Sequence, residues 1–129
     1  MPAFVTLSLP AEPTVTAPDG SDVRVLVQLP RGSMAHFELA AGRSSAAITH
    51  RTVEELWFVL GGSAEMWRAG SDGEAITRLD AGTSLSIPVG TRFQFLSLGP
   101  EPFSVVSVTM PPWPGADEAL FVTGPWQAA

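Results

Sequence analysis

The chain is written in short runs of alternating apolar and polar residues. In 22–29, Val23, Val25 and Val27 fall on one side of an extended chain. In 34–40, Ala35, Phe37 and Leu39 fall on one side and Met34, His36 and Glu38 on the other. Further strands are predicted at 44–51, 55–60, 63–68, 75–79, 83–87, 91–97 and 102–109. Turn signals separate them at short intervals, among them Gly61-Gly62, Ala81-Gly82 and Pro88-Val89-Gly90. The one segment with helical appeal, 53–60, is short, β-branched and aromatic in its second half, and ends at a double glycine, so it reads as a strand. Many short strands with regular turns predict an all-β sandwich or barrel. Residues 1–20 are interrupted by proline and read as an edge strand or arm. Residues 111–129 carry four prolines but also Trp113, Leu120, Phe121 and Trp126. They are expected to lie extended, pinned to the barrel or to a second subunit. No repeat or domain boundary interrupts residues 1–129, so one domain is expected, with its core at about 22–109.

Composition limits the chemistry more than the fold. Glycine and proline together make 24 of 129 residues, which suits a turn-rich domain and falls short of low complexity. There is no cysteine, tyrosine or lysine, and only two histidines, His36 and His50. Thiol, phenol and Schiff-base chemistry are excluded, and so is a three-histidine metal site within one chain. Thirteen acids against seven arginines give a net charge of −6. No cationic footprint for nucleic acid or an anionic membrane is expected. The first residues lack a basic, apolar leader, and no apolar run matches a bilayer span, so a cytoplasmic protein is expected.

Two stretches carry a family resemblance. Residues 42–62 read GRSSAAITHRTVEELWFVLGG and residues 82–97 read GTSLSIPVGTRFQFLS. Glu55, six residues and Gly62 match the end of one motif. Gly82, five residues and Pro88-Val89-Gly90 match the start of another. In this order and spacing the chain resembles the cupin superfamily over about 34–109. The resemblance implies a double-stranded β-helix, a jelly-roll barrel, and commonly a homodimer. It also implies a metal site of three histidines and a glutamate. Counting back from Glu55, the first two histidine positions fall on Thr49 and Arg51. The third falls on Phe93, and a following asparagine position on Ser97. Phenylalanine cannot ligate a metal and arginine repels one, so the motif is degenerate and no metal cofactor is expected.

Arg51 and Glu55 are the candidate catalytic residues. At the former ligand positions both are expected to point into the barrel. There they either neutralise each other or serve a ligand, Arg51 gripping an anion and Glu55 acting as base. Thr49, Trp57, Phe93 and Phe95 are expected to line the cup with Arg51. Trp67, Arg68, Arg92 and Gln94 are read as surface or rim. The opposite edge of the same strand, Leu56, Phe58 and Leu60, would form an outer apolar stripe that needs cover. The leading expectation is a metal-free, small-molecule-binding cupin, with an isomerase-like proton transfer on a small anionic sugar or carboxylate. A second is a metal enzyme with a shifted site of His50, Glu54, Glu55 and His36, which needs a bulge or turn near 51–53 to re-aim His50. A third is a non-catalytic binding or interaction module whose barrel is filled and whose outer apolar face binds a partner.

Overall fold

The computed structural model describes residues 3–129. Eleven strands run β1 Val15–Thr16, β2 Asp22–Leu29, β3 Gly32–Leu39, β4 Ile48–His50, β5 Glu54–Gly61, β6 Ser63–Gly70, β7 Gly73–Asp80, β8 Ser84–Ile87, β9 Arg92–Ser97, β10 Phe103–Met110 and β11 Ala119–Phe121. A single 3-10 turn, Ala116–Glu118, precedes the last. The strands form two antiparallel sheets, β1-β2-β3-β10-β5-β8 and β11-β4-β9-β6-β7. The all-β jelly-roll architecture is therefore as expected. The segment 53–60 is indeed strand rather than helix, and its alternation shows why. Along Glu54–Gly61, Glu55, Trp57 and Val59 are buried and Glu54, Leu56, Phe58 and Leu60 are exposed. The strand expected at 44–51 contracts to Ile48–His50, with an isolated bridge from Ser44 to Leu96.

The inner faces of the sheets meet in one aromatic core. Phe37 and Phe95 pack edge-on or tilted against Trp57 and against each other, and Phe95 also packs onto Phe103. Each such ring contact adds about 0.5–1.5 kcal/mol beyond the area it buries. The turn from β5 to β6 brings the backbone close to Pro102. Gly62 has φ +72°, and a Cβ there would collide with the Pro102 carbonyl, so only glycine closes this corner.

The chain ends behave differently from each other. The C-terminal segment is pinned to the outer face of the five-stranded sheet. Gln94 donates to the Ser45 and Trp126 carbonyls and accepts from the Trp126 N–H. β11 pairs with β4, and Ala129 and Ser44 exchange backbone hydrogen bonds. Gln94 and Trp67 are thereby buried rather than at the rim, and Trp67 Nε1 donates to Glu74. Arg92 stays exposed. Of the N-terminal arm, residues 1 and 2 lie outside the described residues. Its root is held by Arg24, which donates to the Pro10 and Ala11 carbonyls. Phe4, Val5, Leu7 and Leu9 beyond that root are exposed. Among the described residues, neither end covers Leu56, Phe58 and Leu60. No helix among the described residues is long and apolar enough to cross a membrane.

Candidate functional site

At one end of the barrel the inner faces present polar groups. β4 places Ile48 and His50 on its inner face, with Ile48 opposite Phe93 of β9. β5 places Glu55 opposite Ile87 of β8 and Thr109 of β10, followed on the same face by Trp57. Residues 51–53 form the bend between β4 and β5, and this bend carries His50 and Glu55 toward each other. His50 Nδ1 lies 3.0 Å from Glu55 Oε2, and the two side chains are 5% and 9% exposed. The approach is at ion-pair distance but off the line of a ring N–H, so Nδ1 has no aligned hydrogen-bond partner. Trp57 Nε1 donates to the other oxygen, Glu55 Oε1, at 3.1 Å. The imidazole is packed edge-on between Phe93 and Trp113, with ring centroids 5.3 and 5.2 Å away.

Trp113 belongs to a strap that roofs this end. Its backbone N–H donates to Ser33 Oγ at 3.0 Å, and Ser33 in turn shares a 2.6 Å hydrogen bond with Thr109. Farther along the strap, buried Glu118 accepts from Thr52 N, Thr52 Oγ1 and Val53 N, which fixes the bend itself. Burial by itself would raise the Glu118 carboxyl. The three donors outweigh it and hold the group below its ordinary 4.5. Asp19, within electrostatic reach of both Glu55 and His50, goes the other way. Burial lifts it above 3.8 despite two hydrogen bonds from Ser21.

The predicted site is rearranged. Arg51 does not enter the barrel. It is exposed in the bend, and its Nε donates to the Asp117 carbonyl at 2.9 Å. The Arg51–Glu55 pair therefore does not form, and His50 takes the place beside Glu55. Alternation fails as a guide here because the bend interrupts it. Within β4 the order is Ile48 inward, Thr49 outward, His50 inward, so Thr49 does not line the cup either. Its Oγ1 is buried without a partner. Trp57, Phe93 and Phe95 do face inward, but the last two are fully buried and fill the interior.

The shifted set is brought together only in part. Glu54 is exposed on the outer edge of β5. His36 lies on the outer face of the six-stranded sheet between Arg24 and Val106. Its Nδ1 has no partner, and burial lowers its pKa. His50 and Glu55 thus converge without a third ligand. No group of three His, Cys, Asp or Glu side chains among the described residues is placed to hold a metal. Two donors without a third do not fit a tightly held divalent ion.

One inner-face residue was missed. Arg68 pairs across strands with Phe93 and follows Met66 on the same face, so it points between the sheets. The parity of β6, with Ala64 and Met66 apolar at alternate positions, is the signal that marks it.

Comparison with known proteins agrees with this architecture. No curated protein matches the chain by sequence. Among solved structures, an uncharacterised double-stranded β-helix protein from Klebsiella pneumoniae subsp. pneumoniae superposes with a TM-score of 0.65 at 22% identity. The match covers 81% of this chain and 85% of that one. KdgF from Halomonas sp. gives 0.63 at 18% identity, covering 71% and 81%. A Streptomyces PAC13 variant with uridine gives 0.70 at 13%, covering 92% of each chain. At these identities the likeness shows the fold alone. The cupin domain model, however, matches residues 35–109, more than half of the chain. With the two motif frames lying within that span, the chain belongs to the cupin family.

Proposed function

We propose that this cupin binds a small molecule at the roofed end of its barrel, without a metal, and that His50 and Glu55 move a proton on it. The observation that carries the reading is the buried approach of His50 Nδ1 to Glu55 Oε2. Glu55 has one oxygen on the Trp57 indole and the other toward His50. A carboxylate at this distance stabilises the imidazolium formed when His50 takes a proton. Trp57 and Phe93 exclude water from the pair, and Trp113, the more exposed of the three aromatic side chains, offers a flat face for a ligand. Entry at this end requires the Trp113 strap to move aside.

The test works without the substrate being identified. A panel of small hydroxy acids, keto acids and keto sugars is incubated with the protein in D₂O, and exchange of the hydrogen next to the carbonyl is followed by proton NMR. The reading expects catalysed exchange on at least one member, lost in His50→Gln and Glu55→Gln and kept in Arg51→Gln. Exchange that persists in both site variants, or none across the panel, contradicts it.

A second copy of the chain is the partner that this reading includes. One protomer leaves two apolar surfaces bare, the arm with Phe4 and Leu7 and the sheet face with Leu56, Phe58 and Leu60. A two-fold pair lets each copy's arm cover the other's face. Light scattering is expected to give a dimer mass that falls to monomer in Phe58→Asp. A monomeric wild-type protein contradicts the pairing.

A further inference from the structure

The sheets do not meet all the way round. β7 and β8 are edge strands, paired only with β6 and β5 respectively. Beside the β8 edge lies a cleft of about 520 Å³ lined by Leu56 and Trp57 of β5, Arg68 of β6 and Ser84, Leu85 and Ser86 of β8, within the range of small-molecule sites. Its floor comes from inside the barrel. Trp57 and Leu85 are cross-strand partners on the inner face of one sheet, and Arg68 comes from the inner face of the other. Arg68 bridges the gap with one hydrogen bond, Nη1 to the Ser86 carbonyl at 3.0 Å.

That single bond leaves most of the guanidinium unspent. Arginine carries five N–H donors and a fixed charge. Arg68 forms no ion pair among the described residues. Its cross-strand neighbours, Phe93 and Ala75, are apolar and offer nothing to it. A half-buried cation beside an indole and a leucine, with the Ser84 and Ser86 side chains at the rim, matches one ligand chemistry. That chemistry is an anionic head on an apolar body. The planar fork favours a carboxylate.

We propose that the cleft beside β8 binds a small carboxylate, with the carboxylate on Arg68 and the apolar body on Trp57 and Leu85. The anion-anchoring role expected of Arg51 falls to Arg68, and a ligand held there reaches the barrel from the flank without any movement of Trp113. Trp57 then links the two regions, because its ring floors the cleft while its N–H holds Glu55. The inference rests on the reading that a small molecule enters the barrel, but not on the proton chemistry of His50 and Glu55.

Phenylacetate is the probe, with phenyl phosphate as the other anion and benzylamine and 2-phenylethanol as charge controls. Binding is read from shifts of the Trp57 indole N–H and the β6 and β8 amides in ¹⁵N NMR spectra, the indole peak being assigned with Trp57→Phe. Phenylacetate is expected to shift these peaks saturably and benzylamine to leave them in place. Arg68→Met, with a melting temperature close to wild type, is expected to weaken phenylacetate about tenfold or more, the loss of a charge-assisted pair. Ser84→Asp, which keeps Arg68 but adds a negative charge at the rim, is expected to weaken it as well. Tighter binding of phenyl phosphate than of phenylacetate overturns the carboxylate assignment. Equal shifts with benzylamine, no shift with phenylacetate, or undiminished binding to Arg68→Met overturns the site. Binding that survives Arg68→Met but is lost in His50→Gln places the ligand at the roofed end. That outcome overturns the cleft and leaves the proposed function standing.

Discussion

The roofed end of the barrel and its open flank are built on opposite terms. At the roof, polar groups are spent on the chain itself. Glu118 takes three donors from the 52–53 bend, Arg51 caps the Asp117 carbonyl, and Trp113 covers His50. At the flank, one side-chain hydrogen bond from Arg68 of β6 reaches the edge strand β8 of the other sheet. The two arginines make the contrast concrete. Arg51 stands where the family frame puts a metal ligand, yet it works as a surface clasp. Arg68 stands outside both motif frames, yet it is the arginine that lines a cleft from the inner face of a sheet. Position in a motif and position in the barrel are separate properties.

If the roof is structural and the flank is not, removing a residue from each must differ most in stability. Glu118→Ala leaves the Thr52 and Val53 N–H groups without acceptors beneath the strap, and Val53 is fully buried. Its expected cost is about 2–4 kcal/mol in urea unfolding. Arg68→Ala is expected to cost less than about 1 kcal/mol. Equal costs would erase the distinction. Trp113→Ala ranks next. Trp113 is only partly buried, so its loss is expected to cost about 1–2 kcal/mol. It uncovers the imidazole, and acylation of His50 by diethyl pyrocarbonate, followed by peptide mass spectrometry, is expected to become fast. Unchanged reactivity would mean the indole does not shield His50.

The smallest effect is in the pH profile. Glu118 is held below its ordinary 4.5, so it contributes stability above that pH and loses it as pH falls through the lowered value. Asp19 is raised above 3.8, so its contribution is present below 3.8 and is lost as pH rises through the raised value. Glu118→Gln is expected to flatten the acid side of the stability curve, and Asp19→Asn to stabilise the protein at neutral pH. Curves unchanged by either substitution would contradict the environments assigned to them.

The fold was legible because alternation survives within each strand. Val23, Phe37, Trp57 and Val105 each recur on a side that the sheets bury, and glycine marks most of the corners. The site was legible only in part, because it is assembled across a bend. Counting in steps of two from Glu55 carries Arg51 and Thr49 inward, but the 51–53 bend resets the count and turns His50 in instead. Glu118 and Trp113 lie some sixty residues farther along, in a proline-rich strap with no period to read. Arg68 could have been found from the parity of β6, since Ala64 and Met66 already mark its inner side.

The central claim is that Glu55 is partnered inside the barrel by His50 and not by Arg51. Two double-mutant cycles measured by urea unfolding test it directly. The account predicts a coupling of about 0.5–3 kcal/mol between His50→Gln and Glu55→Gln, and additive effects, within about 0.3–0.5 kcal/mol, for Arg51→Gln with Glu55→Gln. Coupling of Arg51 to Glu55 with none for His50 would contradict it.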